Sequence, residues 1–218
     1  MKARIDAIIQ REQALYLEQL HPASEGVLAE MEQYAEANRV PIADREVALF
    51  LEITARATGA KKVLEIGMAI GYSVIHLLRG MTDDGLVVTI EPNDDMIRRA
   101  GEYFTRAGVA ERVRVERGKA LDVIPTLGDT FDMIYLDAMK EEYEEYLEKS
   151  LPLLRTGGVV IADNLLWGGQ VAGEIRSPDQ KISTESLRRF NQHFVRHENL
   201  RAEVLPVGDG LGYGVKIK

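Results

Sequence analysis

The sequence predicts a single doubly wound α/β domain built on a mainly parallel sheet. After Lys61, short β-rich segments alternate with helical segments, the order expected of parallel strands joined by helices. Several β-rich segments are apolar throughout, which indicates a sheet covered on both faces. The length of 218 residues, with 45% hydrophobic and 28% charged residues, also fits one globular domain. We therefore expect one domain over residues 1–218.

Helices are expected ahead of the sheet, over residues 1–58. The segment ASEGVLAEMEQYAEANRV has Ser24 as a candidate N-cap and apolar residues at helical spacing, until Pro41 interrupts the pattern. The segment ADREVALFLEITARATG begins a second helix at Asp44, another candidate N-cap, and ends it at Gly59. We expect these helices to cover one side of the sheet or to contact a partner subunit.

The α/β core is expected over residues 61–218. Five strands are predicted at residues 61–67, 86–91, 112–118, 131–137 and 158–163. A long irregular segment follows Asn164, of a length that usually marks a functional loop, and a helix is predicted near residues 184–197. The C-terminal segment RAEVLPVGDGLGYGVKIK predicts two more strands around a Gly-Asp-Gly turn, an antiparallel hairpin at the sheet edge. The sheet would then have seven strands.

Composition and charge exclude several classes of function. The net charge of −8 argues against broad binding to a phosphate backbone, and the absence of cysteine excludes disulfides, thiolate nucleophiles and cysteine-ligated metals. The N-terminal segment MKARIDAIIQREQALY carries charges every few residues, so it is neither a signal sequence nor a membrane span. We expect a cytoplasmic protein with no membrane partner.

A glycine-rich turn joins the first predicted strand to a helix. Its sequence, LEIGMAIGYS, has the spacing G-x-x-x-G and not the G-x-G-x-x-G of dinucleotide folds. Glu65, before the turn, would repel a pyrophosphate and attract a cation or a ligand rich in hydroxyls. Glu91 follows Gly67 by 24 residues, the usual interval to a carboxylate that binds ribose hydroxyls. S-adenosylmethionine (SAM), a positively charged nucleoside without phosphate, fits this pair. An ordinary tight turn is the alternative.

Oxygen donors follow two further strands. Asp137 ends the fourth strand, and Asp163 and Asn164 end the fifth. These carboxylate and amide oxygens would meet at one edge of the sheet and bind a divalent cation, Mg²⁺ or else Ca²⁺ or Mn²⁺. Capping of the following segment by Asp163 and Asn164 is the alternative. Lys140, three residues after Asp137, is a candidate general base, or alternatively an exposed lysine at a helix start.

Two aromatic or imidazole features remain open. Trp167, the only tryptophan, is a candidate aromatic wall for a planar substrate or, equally, a packing residue beneath the following loop. His193 and His197 are four residues apart but lack the intervening acid of H-E-x-x-H, so we expect a surface or packing role for both.

Four motifs, in order, give the sequence a resemblance to a known family: VLEIGMAIGYS, YLDAMKEEY, IADNLLWGGQVA and LPVGDGLG. Over residues 41–218 the chain resembles the cation-dependent class I SAM O-methyltransferases, which include catechol and caffeoyl-coenzyme A O-methyltransferases and bacterial relatives. The resemblance implies the Rossmann-like SAM methyltransferase fold and a homodimer to which the N-terminal helices contribute.

The resemblance also implies roles for individual residues. The metal ligands would be Asp137, Asp163 and Asn164, and the catalytic residues Lys140 and Asp137. The residues lining SAM would be Glu65, Gly67, Met68, Gly71, Ser73, Glu91, Ala120 and Asp137, with Glu91 at the ribose and Ala120 at the adenine. Met68 stands where many members carry a small hydroxyl residue.

The predicted reaction is metal-dependent transfer of the methyl group of SAM to a hydroxyl of a small catechol-like acceptor. The segment RVPI resembles instead a bacterial branch that methylates 5-hydroxyuridine in transfer RNA, and a basic patch would serve that alternative. The arginines considered for the patch are Arg98, Arg99, Arg106, Arg188, Arg189 and Arg196. An NAD-dependent oxidoreductase and a non-catalytic SAM-binding protein are further alternatives.

Overall fold

One mixed seven-stranded sheet is the centre of the computed structural model, which describes residues 11–21, 23–175 and 177–218. The strands are β1 (Lys62–Ile66), β2 (Leu86–Glu91), β3 (Val113–Arg117), β4 (Phe131–Leu136), β5 (Leu154–Ala162), β6 (Leu200–Leu205) and β7 (Leu211–Lys216). Their order in the sheet is β3-β2-β1-β4-β5-β7-β6. Strands β1 to β5 are parallel, whereas β7 is antiparallel to both β5 and β6. The predicted fold class and its C-terminal hairpin are confirmed.

Helices precede the sheet and connect its strands. In the described part of the chain they are α1 (Arg11–Leu20), α2 (Gly26–Asn38), α3 (Arg45–Thr58), α4 (Tyr72–Gly80), α5 (Asp94–Arg106), α6 (Ala120–Val123), α7 (Tyr143–Ser150) and α8 (Lys181–Arg196). None of these described helices combines the length and the apolar character needed to cross a bilayer. The first ten residues of the predicted helical N-terminus lie outside the described residues.

Different helices cover the two faces of the sheet. Neighbouring residues of a strand point to opposite faces, so Val63 of β1 joins one buried cluster and Leu64 joins the other. The first cluster includes residues of α2, α3, α4 and α5, and the second includes residues of α6, α7 and α8. Burial on both faces explains why the inner strands are apolar without alternation.

Two helix starts differ in detail from the sequence-based prediction. Ser24 is not the N-cap of α2, because Glu25 occupies that position and the hydroxyl of Ser24 donates instead to Glu32 at 2.5 Å. Asp44 does precede α3, but its carboxylate makes no capping hydrogen bond. Gly59 ends α3 in the left-handed conformation, with φ 60°, as predicted. A distant carboxylate therefore takes the hydroxyl of Ser24, whereas Asp44 occupies the predicted N-cap position without using its side chain.

The strand order reverses between β1 and β4, and this reversal places the functional residues. From β1 the chain proceeds outward to β2 and β3, then returns to β4 on the other side of β1. In such sheets the ligand site lies beyond the carboxyl ends of the strands at the reversal. The residues there are those immediately after Ile66 and Leu136.

The contact between α3 and α4 depends on a glycine. A β-carbon added at Gly80 would lie 2.1 Å from the carbonyl oxygen of Glu52, which is backbone and has little room to move. We expect Gly80→Ala to lower the free energy of unfolding by about 1–3 kcal/mol, measured by urea denaturation. Gly101→Ala in α5, with no atom within 4 Å of the added β-carbon, is the matched control and should gain up to about 1 kcal/mol. Equal effects of the two substitutions would contradict this account of the contact.

Candidate active site

Strands β4 and β5 bring two aspartates to the same edge of the sheet. The backbone N–H of Asp137 donates to the carbonyl of Ile66 at 2.9 Å, and that of Asp163 donates to the carbonyl of Leu136 at 3.0 Å. Each aspartate therefore directly follows its strand while its backbone is still held by the neighbouring strand. The sheet itself positions the pair.

Asp163 is a buried carboxylate, only 2% exposed. One oxygen accepts a hydrogen bond from the hydroxyl of Tyr135 at 2.9 Å, and the other accepts from the backbone N–H of Asn164 at 2.6 Å. Burial, and after it the nearby charge of Asp137, raise the pKa of Asp163 to about 7. The two carboxylates thus lie close enough that the site favours added positive charge.

Lys140 supplies part of that positive charge. Its ammonium donates to Asp137 Oδ1 at 2.8 Å and to the hydroxyl of Tyr143 at 2.6 Å, and the residue is buried. The hydroxyl of Tyr143 in turn lies within hydrogen-bonding distance of the carbonyl oxygens of Leu136 and Asp163, at 3.1 and 3.2 Å. Burial raises the pKa of Tyr143 well above its ordinary value, so this phenol stays neutral. The side chain of Lys140 is therefore buried and fixed by its hydrogen bonds, and the alternative of an exposed lysine does not apply.

The donor set of this edge fits a hard divalent cation. Asp137 and Asp163 offer carboxylate oxygens, and the adjacent Asn164 offers an amide oxygen. Within the described ranges, the salt bridge of Lys140 goes to Asp137, and Asp163 has no ion pair of its own. A buried carboxylate without a charged partner is costly, and a bound Mg²⁺, Ca²⁺ or Mn²⁺ would offset that cost.

The glycine-rich turn packs against the sheet edge that carries Asp137 and Asp163, called the acidic edge from here on. Gly67 has φ 97°, and a β-carbon there would lie 2.1 Å from the carbonyl oxygen of Asp137. Gly71 has φ 84°, and a β-carbon there would lie 2.4 Å from the ring of Phe104. Only glycine meets both the backbone and the spatial requirement at these positions. The turn therefore lies directly beside the aspartate that follows β4.

Glu65 is fully buried, a placement that the sequence did not predict. The hydroxyls of Ser73 and Thr89 donate to its two carboxylate oxygens at 2.5 and 2.6 Å. Burial raises the pKa of Glu65 to about 7, although both hydrogen bonds act to lower it. Glu65 and Ser73 are thus linked to each other inside the protein, where they fix the start of α4 to β1.

Glu91 stabilises the glycine-rich turn through its carboxylate. Its carboxylate accepts from the backbone N–H of Ala69 at 3.0 Å and from that of Asn93 at 2.9 Å. Two other residues predicted to border SAM are also buried: the side chain of Met68 packs in the first cluster, and Ala120 begins α6 in the second. Met68 therefore presents its backbone to the turn.

Sequence reasoning missed Asp209, which organises the segment after Asn164. Both carboxylate oxygens of Asp209 accept from the backbone N–H of Gly168, at 2.8 and 2.9 Å. Its backbone carbonyl accepts from the N–H of Leu166 at 2.8 Å. Trp167, with φ 50°, is partly buried and packs against the second cluster, the packing role left open from sequence. The only signal for Asp209 was its place in the Gly-Asp-Gly turn.

A cavity of about 790 Å³ opens between the N-terminal helices and residues 206–208. Leu17, Ile42 and Val207 contribute apolar walls, and Asp44 and Tyr72 contribute polar ones. Burial raises the pKa of Asp44, and the charges of Glu46, Asp209 and Asp137 add to this increase. Leu166, two residues after Asn164, also lines the cavity, which therefore reaches the segment that follows the two aspartates.

Comparison with known proteins decides the family, because the model of one family, O-methyltransferase, matches residues 18–217. The chain belongs to the O-methyltransferase family. The catechol O-methyltransferase of Mycobacterium tuberculosis is 38% identical over 160 residues, which cover 73% of this chain and 72% of that protein. The catechol O-methyltransferase of Niastella koreensis is 35% identical and covers 65% of each chain.

Solved structures agree with this membership. The O-methyltransferase of Bacillus cereus, in complex with SAH, has a TM-score of 0.82 and 30% identity, with 93% of this chain and 96% of that chain covered. The O-methyltransferase TomG of Streptomyces achromogenes, in complex with SAM, has a TM-score of 0.83 and 30% identity, with 94% and 95% covered. The predicted family and the predicted enzyme class, a SAM-dependent O-methyltransferase, are confirmed.

The arginines considered for RNA binding are divided between two sides of this O-methyltransferase. Those of α5 lie on the helix that packs with the first cluster, and those of α8 lie on the helix that packs with the second, on the opposite face of the sheet. Arg106 pairs with Glu30, and Arg188 donates to backbone carbonyls, including that of Gln170. The six arginines therefore do not form one basic patch.

The buried carboxyl of Glu65 makes stability depend on pH. Its folded pKa, about 7, lies above the unfolded value, so folding favours the protonated form. That contribution is complete below the unfolded pKa of about 4.3 and is lost as the pH rises through about 7. We expect the free energy of unfolding of Glu65→Gln, relative to wild type, to increase by up to roughly 3 kcal/mol between pH 4 and pH 8 without SAM. Denaturant titrations at each pH measure this difference.

Glu36→Gln, at an exposed position of α2, is the matched control and should show no such trend. A difference between Glu65→Gln and wild type that stays constant with pH would show that Glu65 remains ionised in the folded protein.

Proposed function

We propose that this O-methyltransferase transfers the methyl group of SAM to a hydroxyl of a small catechol-like acceptor, with a divalent cation at Asp137, Asp163 and Asn164. The observation that carries the proposal is the buried Asp163 beside Asp137, two carboxylates with Lys140 as their one charged side-chain partner among the described residues. The names of the bacterial relatives, catechol O-methyltransferase, support the acceptor class.

The proposed cation site has a defined chemical purpose. When bound, the cation would act as a Lewis acid that lowers the pKa of the acceptor hydroxyl, and SAM would supply the methyl group. Asp137, Asp163 and Asn164 would supply oxygen ligands to Mg²⁺, with Ca²⁺ or Mn²⁺ as chemically similar choices. Two neighbouring acceptor oxygens, as in a catechol, suit a cation that keeps open positions.

Lys140 is the residue to which we assign the proton of the acceptor hydroxyl. Its ammonium would first lose one proton to solvent, and the neutral amine would then receive the hydroxyl proton at Nζ. Asp137 and Tyr143 fix Nζ at 2.8 and 2.6 Å, so its position is set before an acceptor arrives. Tyr143 is held by two backbone carbonyls at the ends of β4 and β5. Positioning of this kind lets a proton move without rearrangement of the protein.

The turn from Gly67 to Gly71 is the proposed SAM site. Glu91, anchored by two backbone N–H groups, retains lone pairs that can accept from ribose hydroxyls. Ala120, a small residue at the start of α6, would lie against the adenine. Glu65 and Ser73 would act from inside the protein by shaping the turn at the methionine end, and Met68 would act through its backbone.

The cavity of about 790 Å³ is the proposed acceptor site. Its volume is within the range of about 300–1,000 Å³ that holds small organic ligands, and its walls are partly apolar. Helix α1 contributes Leu17 to the cavity and exposes Leu15, Tyr16 and Leu20 to solvent. We also propose that the protein forms a homodimer in which the partner subunit covers this apolar surface. The cytoplasmic location stays a prediction.

Methyl transfer should require both Mg²⁺ and Asp163. We expect mass spectrometry to detect methylated product from SAM and a catechol panel that includes caffeate and 3,4-dihydroxybenzoate, with no product after addition of EDTA. Asp163→Ala should lose the activity and keep SAM binding, because its carboxylate lies outside the glycine-rich turn. Calorimetry with SAM measures the retained binding.

Asp84→Ala is the matched control, since this exposed aspartate pairs with Lys61 on the surface. Product that persists in EDTA, or full activity of Asp163→Ala, would remove the cation from the proposal. Failure of the whole panel while SAM binds would shift the acceptor to another class, and hydroxylated transfer RNA is the next acceptor to assay.

The proton-accepting role of Lys140 predicts a loss of turnover. We expect Lys140→Met to lower kcat by about 10²–10⁴-fold, the usual contribution of a general base, with SAM binding retained. Lys149→Met, an exposed lysine in the last turn of α7, is the matched control and should keep wild-type kcat. A Lys140→Met enzyme with wild-type kcat would show that another group receives the proton.

A further inference from the structure

Glu148 of α7, His193 in the last turn of α8 and His197 directly after that helix form a second cluster of ligand atoms. Nε2 of His193 lies 2.6 Å from Glu148 Oε1, and Nε2 of His197 lies 3.2 Å from the same oxygen. The three ligand atoms all lie within 4.8 Å of one another. The residues around this cluster are distinct from those that line the acceptor cavity. We propose that Glu148, His193 and His197 bind a transition-metal ion of the zinc type.

The ligand types select this class of ion. Two imidazoles and one carboxylate are a common set for Zn²⁺, whereas the oxygen donors of the acidic edge suit Mg²⁺. His193 lies in the last turn of α8 and His197 directly follows the helix, and their ring centroids are 5.2 Å apart. Both rings direct Nε2 to Glu148. The sequence could not show this cluster, because Glu148 precedes His193 by 45 residues. The expected surface or packing role of the histidines is therefore incomplete.

The surroundings permit a bound cation. The cluster lies in an open hollow of about 620 Å³, also lined by Arg189, Gln192, Arg196 and Glu198. Two arginines and two glutamates balance their formal charges, so the hollow does not repel a cation as a whole. The side chains of Glu148 and His193 are 54% and 41% exposed, which leaves water access to the remaining coordination positions.

One contact limits the affinity. The backbone N–H of Asn199 donates to Nδ1 of His197 at 3.2 Å, so the proton of this ring lies on Nε2 when the ring is neutral. A metal at Nε2 requires that proton on Nδ1, and the contact with Asn199 is then lost. Ligand exposure also allows water to compete. We therefore place the zinc affinity in the micromolar range, weaker than that of a buried structural zinc site.

Bound zinc would join α7 to α8. These helices already meet through the rings of Tyr143 and Phe190, whose centroids are 5.2 Å apart. Glu148 lies near the C-terminal end of α7 and the histidines near that of α8. The ion would tie the two helices together a second time, so its effect is on stability and needs no acceptor or SAM.

Zinc titration of the purified wild-type protein tests the proposal, with calorimetry for stoichiometry and thermal unfolding for stability. Zinc at about 100 times its Kd should raise Tm by roughly 5–10 °C. His193→Ala should weaken binding at this site at least about tenfold, because even changes around a metal's ligands cost that much. Glu148→Gln should do the same. Gln192→Ala, in the same hollow but without a ligand atom of this kind, is the matched control and should bind as wild type does.

Comparison among the variants distinguishes zinc binding at this cluster from zinc binding at Asp137, Asp163 and Asn164, because those three residues are unchanged in every variant. With Co²⁺ in place of zinc, wild type should show the strong visible absorption bands of four- or five-coordinate Co²⁺ with nitrogen ligands. His193→Ala should lose these bands. Equal zinc stoichiometry, affinity and Tm shift in wild type and His193→Ala would overturn the proposal. So would no binding to wild type at about 1 mM zinc, well above the micromolar affinity expected. None of these measurements depends on methyl transfer.

Discussion

The burial of Asp163 beside Asp137 is the constraint on which the rest of the site depends. A sheet that ends two neighbouring parallel strands in aspartates brings like charges together where water is scarce, and like charges disfavour ionisation. Hydrogen bonds from Tyr135 and from the backbone of Asn164 satisfy the oxygens of Asp163 without supplying a full positive charge. Without a cation, the two neighbouring carboxylates would therefore destabilise the fold. A bound cation would compensate their charge.

Most of the remaining architecture fixes what surrounds that pair. Gly67 lets the glycine-rich turn approach the backbone of Asp137, so the proposed SAM site and the proposed cation site adjoin each other. Asp209 holds the chain that follows Asn164, whose own φ of 60° turns the backbone sharply away from β5. Tyr143 begins α7 and reaches back to the ends of two strands. Three distant parts of the chain thus converge on one edge, as expected of a site built on rigid elements.

The sequence was most informative where local pattern and sheet geometry suffice. The strand positions follow from apolar runs, and Asp137 and Asp163 meet because the carboxyl ends of parallel strands share an edge. The sequence was least informative about side chains whose partners are remote: Tyr135 meets Asp163 across 28 residues, and the Asp209 contact spans 41. Ser24 failed as a cap for the same reason, since a carboxylate eight residues away competes successfully for its hydroxyl. A hydrogen bond predicted from local sequence therefore does not form where a tertiary contact offers the side chain a stronger partner.

Two sets of metal donors on one chain need not compete, because their chemistry differs. Carboxylate and amide oxygens at the acidic edge suit hard cations, whereas the imidazoles of His193 and His197 suit borderline ions such as zinc. Lys140 lies just before α7 and Glu148 lies near its end, so this helix connects the surroundings of the two proposed sites. Tyr143 supports Lys140 on one side and packs against Phe190 of α8 on another. A zinc ion that restrained how α7 and α8 meet would therefore act on the same helix pair that positions Tyr143, the residue whose hydroxyl accepts from Lys140.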